Sequence, residues 1–349
     1  MTLRVIQWAT GGVGRAAIEG VLAHPELELV GCWVHSEAKE GKDAGEICGL
    51  EPVGVRATRD ADALLATEAD CVLYSPVMGQ EEDVLRILES GKNVVTPLGW
   101  FFPFASSDVS KLEAACQRAG VTLHGTGIHP GGITERFPLM VSALTRNVRH
   151  VRAEEFSDIR SYAAPFVVRE VMLFGKTPEE AAASPMIQIL GGGFCQSIDM
   201  VAASLGIELD AEKRTNHEMA VATQALDTPV GTLEAGTVAA QRFTWQGTRD
   251  GEPVVTVRTN WLMGEEHLDP PWRLDGERFE VEVEGDPSVS MTFHGIHPDV
   301  QGAVQDPNPG IVATANHCVN AIPYVCAAGP GIKTYLDLPL VSGRHAAAR

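Results

Sequence analysis

The residues of this chain best suited to chemistry begin near its N-terminus, where an apolar strand runs into a glycine turn. Residues 5–17 read Val-Ile-Gln-Trp-Ala-Thr-Gly-Gly-Val-Gly-Arg-Ala-Ala. Gly11 allows a sharp turn, and the absence of a Cβ at Gly12 or Gly14 lets a pyrophosphate approach the backbone. The N–H groups and dipole of the following helix attract phosphates. The pattern predicts a dinucleotide-binding turn whose contacts are Gly11, Gly12, Val13, Gly14 and Arg15.

The end of the second strand indicates which dinucleotide this turn binds. About 20 residues after such glycines, an acid binds the ribose 2′-hydroxyl of NAD. Here the strand ends at His35 and Ser36, and Lys39 follows shortly after. Because a neutral or cationic strand end suits a 2′-phosphate, the sequence favours NADP. Glu37 leaves NAD open as the alternative, and a glycine turn without any ligand is the alternative to both.

A parallel sheet must hold these residues in place. From residue 1 to about 150, β-like runs alternate with helical runs, which is typical of a doubly wound, Rossmann-type α/β sheet. Ligands bind beyond the carboxyl ends of the strands in such sheets. The predicted strand ends add the cofactor contacts Ser75, Pro76, Thr96 and Gly127.

The pattern changes after residue 150. Long alternating strands at 151–158, 238–246, 252–262 and 277–294, with helical runs at 178–184 and 194–205, predict an α+β domain built on an open mixed sheet. We therefore expect a dinucleotide-binding domain at 1–150 and a substrate and dimerisation domain at 151–310. An amphipathic helix and tail at 311–349 are expected to return to the first domain.

Composition narrows the range of partners. A net charge of −19 argues against nucleic acid and anionic membranes, because most of this surface repels phosphate. Seven dispersed cysteines predict reduced thiols in a cytoplasmic protein. The first strand leaves no room for a signal peptide, and we expect no apolar run long enough to cross a bilayer. A metal site is not expected either, since His294 and His297 have no third ligand at a suitable spacing.

Four motifs together resemble one family. They are Gly-Gly-Val-Gly-Arg at 11–15, Asn-Val-Val-Thr at 93–96, Gly-Thr-Gly-Ile-His-Pro-Gly-Gly at 125–132 and Val-Asn-Ala-Ile-Pro at 319–323. The chain is similar to the dihydrodipicolinate-reductase-like group that includes 2,4-diaminopentanoate dehydrogenase and the native amine dehydrogenases. This resemblance implies a Rossmann domain, an α+β domain, a homodimer and NAD(P)-dependent interconversion of an amine with a ketone or aldehyde plus ammonia. Asn320, in the last motif, is counted among the cofactor contacts.

Two positions depart from the family pattern. Family members usually carry a glutamate after the Asn-Val-Val-Thr strand, where it orients ammonia and moves protons, whereas residues 96–103 of this chain contain no acid. The family's asparagine beside the nicotinamide is His129 here. An imidazole with an ordinary pKa near 6.5 suits proton transfer, so His129 is the predicted replacement. A hydrogen-bonded turn residue before Pro130 is the alternative.

Other candidate residues flank the expected site. Asp158 and Tyr162 follow the first strand of the second domain and are predicted catalytic residues, with a solvated strand end as the alternative. Glu135 is expected in the first turn of a helix, where it complements the dipole. The aromatic run of Trp100, Phe101 and Phe102 predicts a pocket for an apolar substrate, with simple loop packing as the alternative.

These residues support two classes of function. The first is an oxidoreductase that transfers a hydride between nicotinamide and a carbonyl or imine carbon of a small, apolar carbonyl or amine substrate, either with ammonia or as a carbonyl reductase without it. The second is an NADP-binding sensor module without catalysis. The missing acid motivates the second class, and a screen of carbonyl and amine substrates separates the two.

Overall fold

The computed structural model describes residues 2–345 and divides the chain into two compact units. One unit contains the chain up to Gly131 together with Ile311 and the residues after it, and the other is Gly132–Gly310. The predicted boundary near residue 150 is therefore placed too late. The reason is that Val141 belongs to the hydrophobic core of the second unit. Residues 346–349 of the predicted C-terminal segment lie outside the described residues.

The strands of the described residues, in chain order, are β1 Leu3–Trp8, β2 Leu27–Trp33, β3 Ala57–Thr58, β4 Cys71–Tyr74, β5 Asn93–Thr96, β6 Thr122–Gly125, β7 Arg146–Asp158, β8 Arg214–Ala222, β9 Val238–Arg249, β10 Glu252–Leu262, β11 Leu268–Asp269, β12 Arg278–Asp286, β13 Val289–Phe293 and β14 Gly331–Ile332. The α-helices are α1 Gly12–Ala23, α2 Ala44–Ile47, α3 Ala61–Leu65, α4 Glu81–Glu89, α5 Ser110–Ala119, α6 Phe137–Ser142, α7 Pro178–Ala182, α8 Met186–Leu205 and α9 Pro309–Cys326.

The first unit is built on a parallel sheet with strand order β14-β6-β5-β4-β1-β2-β3. The predicted Rossmann-type sheet is thus confirmed. Hydrophobic cores cover both faces, as a parallel sheet requires. Helix α9 packs on α1, and a Cβ added at Gly20 of α1 would lie 3.1 Å from Val319 Cγ2 of α9. The close approach places the start of α9 beside the glycine turn, where Ile311 neighbours Gly12.

The second unit is built on a mixed sheet with strand order β11-β8-β9-β10-β7-β12-β13. Among the described strand pairs of this second sheet, only β7–β10 is parallel, which confirms the predicted open mixed sheet. Two details differ from the prediction. The single strand expected at 277–294 is the hairpin β12–β13, and β8 was not predicted, because its first half is polar and exposed.

Helix α8 contributes side chains to the hydrophobic core of the second unit. Phe194, Ile198 and Val201 on this helix are buried against the sheet. The helix is 20 residues long and apolar enough, by length and composition alone, to cross a membrane, contrary to the expectation that no such run exists. Of its most apolar 18 consecutive residues, 44% are buried in the structure.

Candidate functional site

The glycine turn connects β1 to α1, and its sharpest bend lies at Ala9. Ala9 has a φ of +76°, in the left-handed region that most side chains avoid. Gly11 has φ −72° and ψ −166°, an extended conformation that any residue adopts. The expectation that Gly11 makes the sharp turn is therefore wrong in its reason. Gly11 has a different property, which is that a Cβ added there meets no atom of residues 2–345 within 4 Å.

Gly14 is needed for packing within the turn. A Cβ added at Gly14 would overlap the Ala9 carbonyl group and lie 3.1 Å from Gln7 Nε2. The first turn of α1 thus packs directly on the end of β1, and Gly14 faces the strand. Open space for a phosphate lies on the Gly11 side. In the part of the chain that the structure describes, no side chain caps the N-terminus of α1 and no acid occupies its first turn.

A buried glutamine hydrogen-bonds to the glycine turn. Gln7 Nε2 donates to the Ala9 carbonyl at 2.8 Å and to Ser75 Oγ at 2.8 Å. The hydroxyl of Ser75, a predicted cofactor contact, thereby ties the end of β4 to the glycine turn. The half-buried Pro76 follows it.

A cation lies beside the turn. Lys39 Nζ donates to the carbonyl of Thr10 at 2.9 Å and to its hydroxyl at 3.1 Å. His35 and Ser36 are exposed after the end of β2. Lys39 therefore brings a positive charge to the end of β1 from the segment after β2, where a 2′-phosphate would be recognised. Of the other predicted contacts, Val13 is half-buried in the core and Arg15 is half-buried in α1.

The loop after β5 carries the aromatic residues in a constrained backbone. Gly99 and Trp100 both have positive φ, +65° and +52°. A positive φ is unusual for a bulky residue and often marks a functional site. A Cβ added at Gly125 would lie 2.5 Å from the Trp100 carbonyl carbon, so glycine at the end of β6 lets this loop cross it.

The three predicted pocket aromatics differ in exposure. Phe101 is buried, at 2% exposure, and Trp100 packs over Gly79 in the loop after β4. Phe102 is half-buried and meets Phe104 edge-on with ring centroids 5.2 Å apart. Their role in a pocket stays a prediction.

The loop after β6 contains His129. A Cβ added at Gly131 would overlap the Gly127 backbone, so the chain folds back on itself between these two glycines. His129 lies at the tip of this tight loop and is half-buried. Thr96, the neighbouring strand end, is fully buried, and its hydroxyl accepts from the Leu98 N–H at 3.1 Å.

A hydrogen-bonded cluster of three residues, which the sequence analysis missed, lies at the end of β6. Thr126 Oγ1 lies 2.9 Å from His317 Nδ1 on α9 and also contacts the Tyr335 hydroxyl. The Tyr335 hydroxyl is 3.2 Å from the same ring nitrogen. Asn320, one turn further along α9, is half-buried.

The other two predicted catalytic residues belong to the second unit. Asp158 is fully buried, and its carboxylate accepts from Arg160 Nε at 2.9 Å and from Arg160 Nη2 at 2.6 Å. These contacts favour a structural role for Asp158. Tyr162 is half-buried against the hydrophobic core, and burial raises the pKa of its hydroxyl.

Glu135 lies in the first turn of a helical segment, as expected, but its carboxyl is not exposed. It lies in a π-helical segment at 132–136 and is fully buried. Its Oε1 accepts from the Ser197 hydroxyl at 2.6 Å, and Oε2 has no hydrogen-bond partner within residues 2–345. Burial raises the pKa of this carboxyl to about 8, although the Ser197 hydrogen bond opposes the shift. Glu135 is therefore protonated at neutral pH. Burial of this kind has no signal in the sequence.

Within residues 2–345, no group of three or more His, Cys, Asp or Glu side chains is arranged to hold a metal ion. The glycine turn, in contrast, fits the pyrophosphate of a dinucleotide. It offers open space at Gly11, first-turn N–H groups without a side-chain cap, and the Lys39 cation. The parallel sheet and this turn define a dinucleotide-binding oxidoreductase fold.

Comparison with known proteins identifies the family. The dihydrodipicolinate reductase N-terminus model matches residues 5–98, and the 2,4-diaminopentanoate dehydrogenase C-terminal domain model matches residues 133–349. The chain belongs to this family of nicotinamide-dinucleotide-dependent dehydrogenases, so the resemblance noted from the motifs is confirmed.

Individual relatives match over nearly the whole chain. An amine dehydrogenase of Streptomyces virginiae is 32% identical over 97% of this chain and 96% of its own length. A 2,4-diaminopentanoate dehydrogenase of Acetoanaerobium sticklandii is 24% identical over 97% of this chain and 94% of its own. The solved structure of an amine dehydrogenase from Mycobacterium smegmatis covers 99% of this chain and 98% of its own, with a TM-score of 0.81 and 22% identity, and shows the same fold.

Proposed function

We propose that this protein interconverts an amine with a ketone or aldehyde plus ammonia, using a nicotinamide dinucleotide. The observation that carries the proposal is the open, uncapped N-terminus of α1 at Gly11, in a chain whose relatives are named amine dehydrogenase and 2,4-diaminopentanoate dehydrogenase. When bound, the nicotinamide supplies or accepts the hydride. The residues of this chain bind the cofactor, shape the substrate site and move protons.

The preferred cofactor is NADP. Lys39 is the supporting residue, because its ammonium group contacts Thr10 beside the turn, and exposed His35 and Ser36 precede it. Glu37, the candidate for binding an NAD ribose, is exposed in the 3₁₀ turn Glu37–Lys39, four residues after β2 ends. The side of the glycine turn next to the end of β2 therefore carries the positive charge of Lys39, which suits a 2′-phosphate.

The substrate is a small apolar carbonyl compound or its amine. Support comes from the loop after β5, where Trp100 keeps a positive φ and Val77 and Met78 of the loop after β4 are 57% and 40% exposed. Apolar side chains held at strand ends are typical of ligand pockets.

His129 takes over the role of the missing glutamate toward ammonia. It lies at the tip of the loop after β6, while residues 97–103 provide no carboxylate. His129→Ala is expected to lower kcat about 10²–10⁴-fold with nearly unchanged NADPH binding. His129→Asn keeps a hydrogen bond without a titrating group. If His129→Asn retains full activity and the same pH profile, His129 only positions the cofactor.

A substrate screen tests the proposed function. Aliphatic and aromatic ketones and aldehydes are offered with NADPH or NADH, each with and without ammonium, and the amine products are identified by mass spectrometry. We expect amine formation that depends on ammonium and is faster with NADPH. The absence of acid after β5 favours a second candidate, carbonyl reduction, which gives alcohol without ammonium. Cofactor binding without turnover of any substrate supports the sensor module instead.

The protein is further proposed to be a cytoplasmic homodimer. The two copies are proposed to meet through the polar face of the second unit's sheet. Arg152 and Glu154 of β7 and Arg258 of β10 alternate with core residues and so lie on the face opposite α8. Their charges are paired with one another across the strands. A paired polar face suits a two-fold contact between copies. Light scattering at micromolar concentration is the test, and a monomer contradicts the dimer.

A further inference from the structure

The three-residue cluster of Thr126, His317 and Tyr335 joins segments that are far apart in the chain. Thr126 directly follows β6, His317 lies on α9 and Tyr335 follows β14. The Thr126 N–H donates to the Thr96 carbonyl at 2.8 Å, so the cluster is fixed to the carboxyl ends of β5 and β6. Ligands bind at this edge of a doubly wound sheet.

The number of hydrogens shared among the three contacts of the cluster depends on whether Nδ1 of His317 carries a proton. Three atoms meet, namely two hydroxyl oxygens and His317 Nδ1, and one ring nitrogen either donates or accepts but not both. When Nδ1 is bare, one hydroxyl donates to it and the other donates to the first hydroxyl. Both hydroxyl hydrogens are then used inside the cluster.

Protonation at Nδ1 changes this arrangement. Nδ1–H then donates to the Thr126 hydroxyl, and that hydroxyl donates to the Tyr335 oxygen. The Tyr335 hydrogen is thereby directed out of the cluster. Thr126 is fully buried, whereas Tyr335 and His317 are half-buried, so Tyr335 carries the more accessible of the two hydroxyls. The state of one imidazole nitrogen thus decides whether Tyr335 offers a proton.

We propose that Tyr335 gives a proton to the substrate oxygen and that Thr126 and His317 restore it. This inference rests on the proposed function, in which the carbonyl oxygen leaves as water or becomes a hydroxyl group. Tyr335 loses its hydrogen to that oxygen, Thr126 passes its own to Tyr335, and His317 Nδ1–H passes one to Thr126. Both hydroxyls end unchanged, and one proton has moved to the product from a His317 ring that starts as imidazolium, with Nε2 also protonated, and ends as neutral imidazole. His129 acts on ammonia in this scheme, so the two proton steps are separate.

Three titratable groups near the cluster have contacts of their own. Cys318 donates its thiol to the Thr126 carbonyl at 3.7 Å, and burial raises the pKa of that thiol to about 12, so it stays neutral. The ring of His124 stands edge-on to Tyr335 at 5.5 Å, and its Nδ1 is 2.7 Å from the Lys333 carbonyl oxygen. The nearby carboxylate of Asp337 accepts from the Thr334 N–H and hydroxyl, both at 2.9 Å.

The experiment uses matched pairs of variants in the full chain. Thr126→Val removes the hydroxyl with little change in size, and Thr126→Ser restores it. Tyr335→Phe removes the hydroxyl donor, and Tyr324→Phe, at a half-buried tyrosine of the same unit whose hydroxyl contacts Ser342 Oγ, is the control. We expect Thr126→Val and Tyr335→Phe to lower kcat about 10²–10³-fold, the effect of a lost general acid, with KM and NADPH affinity within about twofold. Thr126→Ser should restore most of the kcat that Thr126→Val loses, and Tyr324→Phe should keep the wild-type kcat.

A second readout does not depend on turnover. The Nδ1 and Nε2 signals of ¹⁵N-labelled His317 are followed against pH without substrate. We expect the titration midpoint to move in Thr126→Val and Tyr335→Phe and to return in Thr126→Ser. An identical titration in all variants overturns the cluster, whatever the activity. If wild-type protein turns over no carbonyl or amine yet the midpoints move, the proton-sharing cluster stands and the proposed reaction falls. Unchanged kcat in Tyr335→Phe overturns Tyr335 as donor.

Discussion

A Cβ added at Gly14 would lie 2.9 Å from the carbonyl carbon of Ala9, whereas one added at Gly11 meets nothing within 4 Å in the described chain. The two glycines of the same turn therefore serve different purposes. Gly14 permits the turn to pack, and Gly11 leaves it open to a ligand. The sequence pattern alone does not separate these purposes, but single substitutions do.

Gly14→Ala is expected to destabilise the fold, and Gly11→Ala to weaken cofactor binding in a stable protein. Overlap with a backbone carbonyl group costs about 1–3 kcal/mol, because neither the strand end nor the helix moves freely. A methyl group at Gly11 stands where a pyrophosphate approaches, and we expect at least a tenfold loss of NADPH affinity, about 1.4 kcal/mol. Thermal unfolding and nicotinamide fluorescence measure the two effects.

Gly329→Ala is the control for this pair, since its Cβ also meets nothing within 4 Å among the described residues and it lies outside the turn. Gly329→Ala should change neither the thermal stability nor the NADPH affinity. Normal NADPH binding in Gly11→Ala would remove the open side of the turn as the phosphate site.

Lys39→Ala tests the choice between cofactors. A hydrogen bond to a charged group contributes about 1.5–3 kcal/mol, so loss of the 2′-phosphate contact predicts a rise in the NADPH Kd of about 10–100-fold. Lys39 also contacts Thr10, so a small change in NADH affinity is expected as well. The ratio of the two Kd values is therefore the measured quantity. Exposed Lys42→Ala is the control, and an unchanged ratio in Lys39→Ala contradicts NADP preference through this residue.

Glu135→Gln tests the buried neutral carboxyl through the pH dependence of stability. Its pKa is raised from 4.5 to about 8 by burial, so the folded state holds the proton more tightly than the unfolded state does. The stabilisation is complete below about pH 4.5 and is lost as pH rises toward 8, by up to about 1.4 kcal/mol per pH unit. Glu135→Gln stays neutral and should lose this slope.

Denaturant unfolding followed by circular dichroism at pH 5, 6, 7 and 8 measures how the free energy of unfolding changes with pH. Burial also raises the pKa of Glu277, to about 7, and its contribution has the same sign, so the difference between variants is the relevant quantity. Glu179→Gln, at an exposed position of α7, should keep the wild-type slope. An equal slope in Glu135→Gln and wild type would show that Glu135 is ionised in the fold.

Local pattern predicted the elements that depend on neighbours in sequence. Strands β4 and β5 coincide with the short β-like runs at Cys71–Tyr74 and Asn93–Thr96. A weaker β-like run at 53–57 becomes strand only from Ala57, because the Asp43 carboxylate accepts from the Val53 and Gly54 N–H groups and holds that segment in a turn.

The candidate site depends on contacts between distant residues, and its chemistry was predictable only in part. The glycine turn is local and was found. Thr126 meets His317 and Tyr335 across 191 and 209 residues, and no spacing rule connects them. The raised pKa of Glu135 comes from burial between segments, which no motif encodes. The sequence therefore indicated where a cofactor binds more fully than which groups carry protons.

Arg152 binds three carboxylates on the sheet of the second unit. It contacts Glu154, donates to Glu282 at 2.8 Å and lies 3.2 Å from Glu280. Burial raises the pKa of Glu280, but Arg278 and Arg152 more than offset this and lower it overall. Removal of Arg152 would leave several carboxylates facing one another, two of them well shielded from water.

Arg152→Met is expected to cost about 3–5 kcal/mol at pH 7, the usual penalty for removing one partner of a buried ion pair. A carboxyl with a lowered pKa stabilises the fold above its ordinary pKa and loses this contribution as pH falls. The difference between wild type and Arg152→Met should therefore narrow as pH falls toward 4. Arg149→Met, on the same strand, is the control, because its pair with Asp286 is exposed and such pairs contribute at most about 1 kcal/mol.

The same two variants test the proposed dimer by light scattering at micromolar concentration. If this face joins two copies, Arg152→Met should dissociate at protein concentrations where Arg149→Met stays dimeric, because unpaired carboxylates on a two-fold interface repel their own copies. Added salt should weaken that repulsion and restore part of the dimer. An Arg152→Met protein that is destabilised yet fully dimeric would show that the charged face supports the fold alone and that any dimer forms elsewhere.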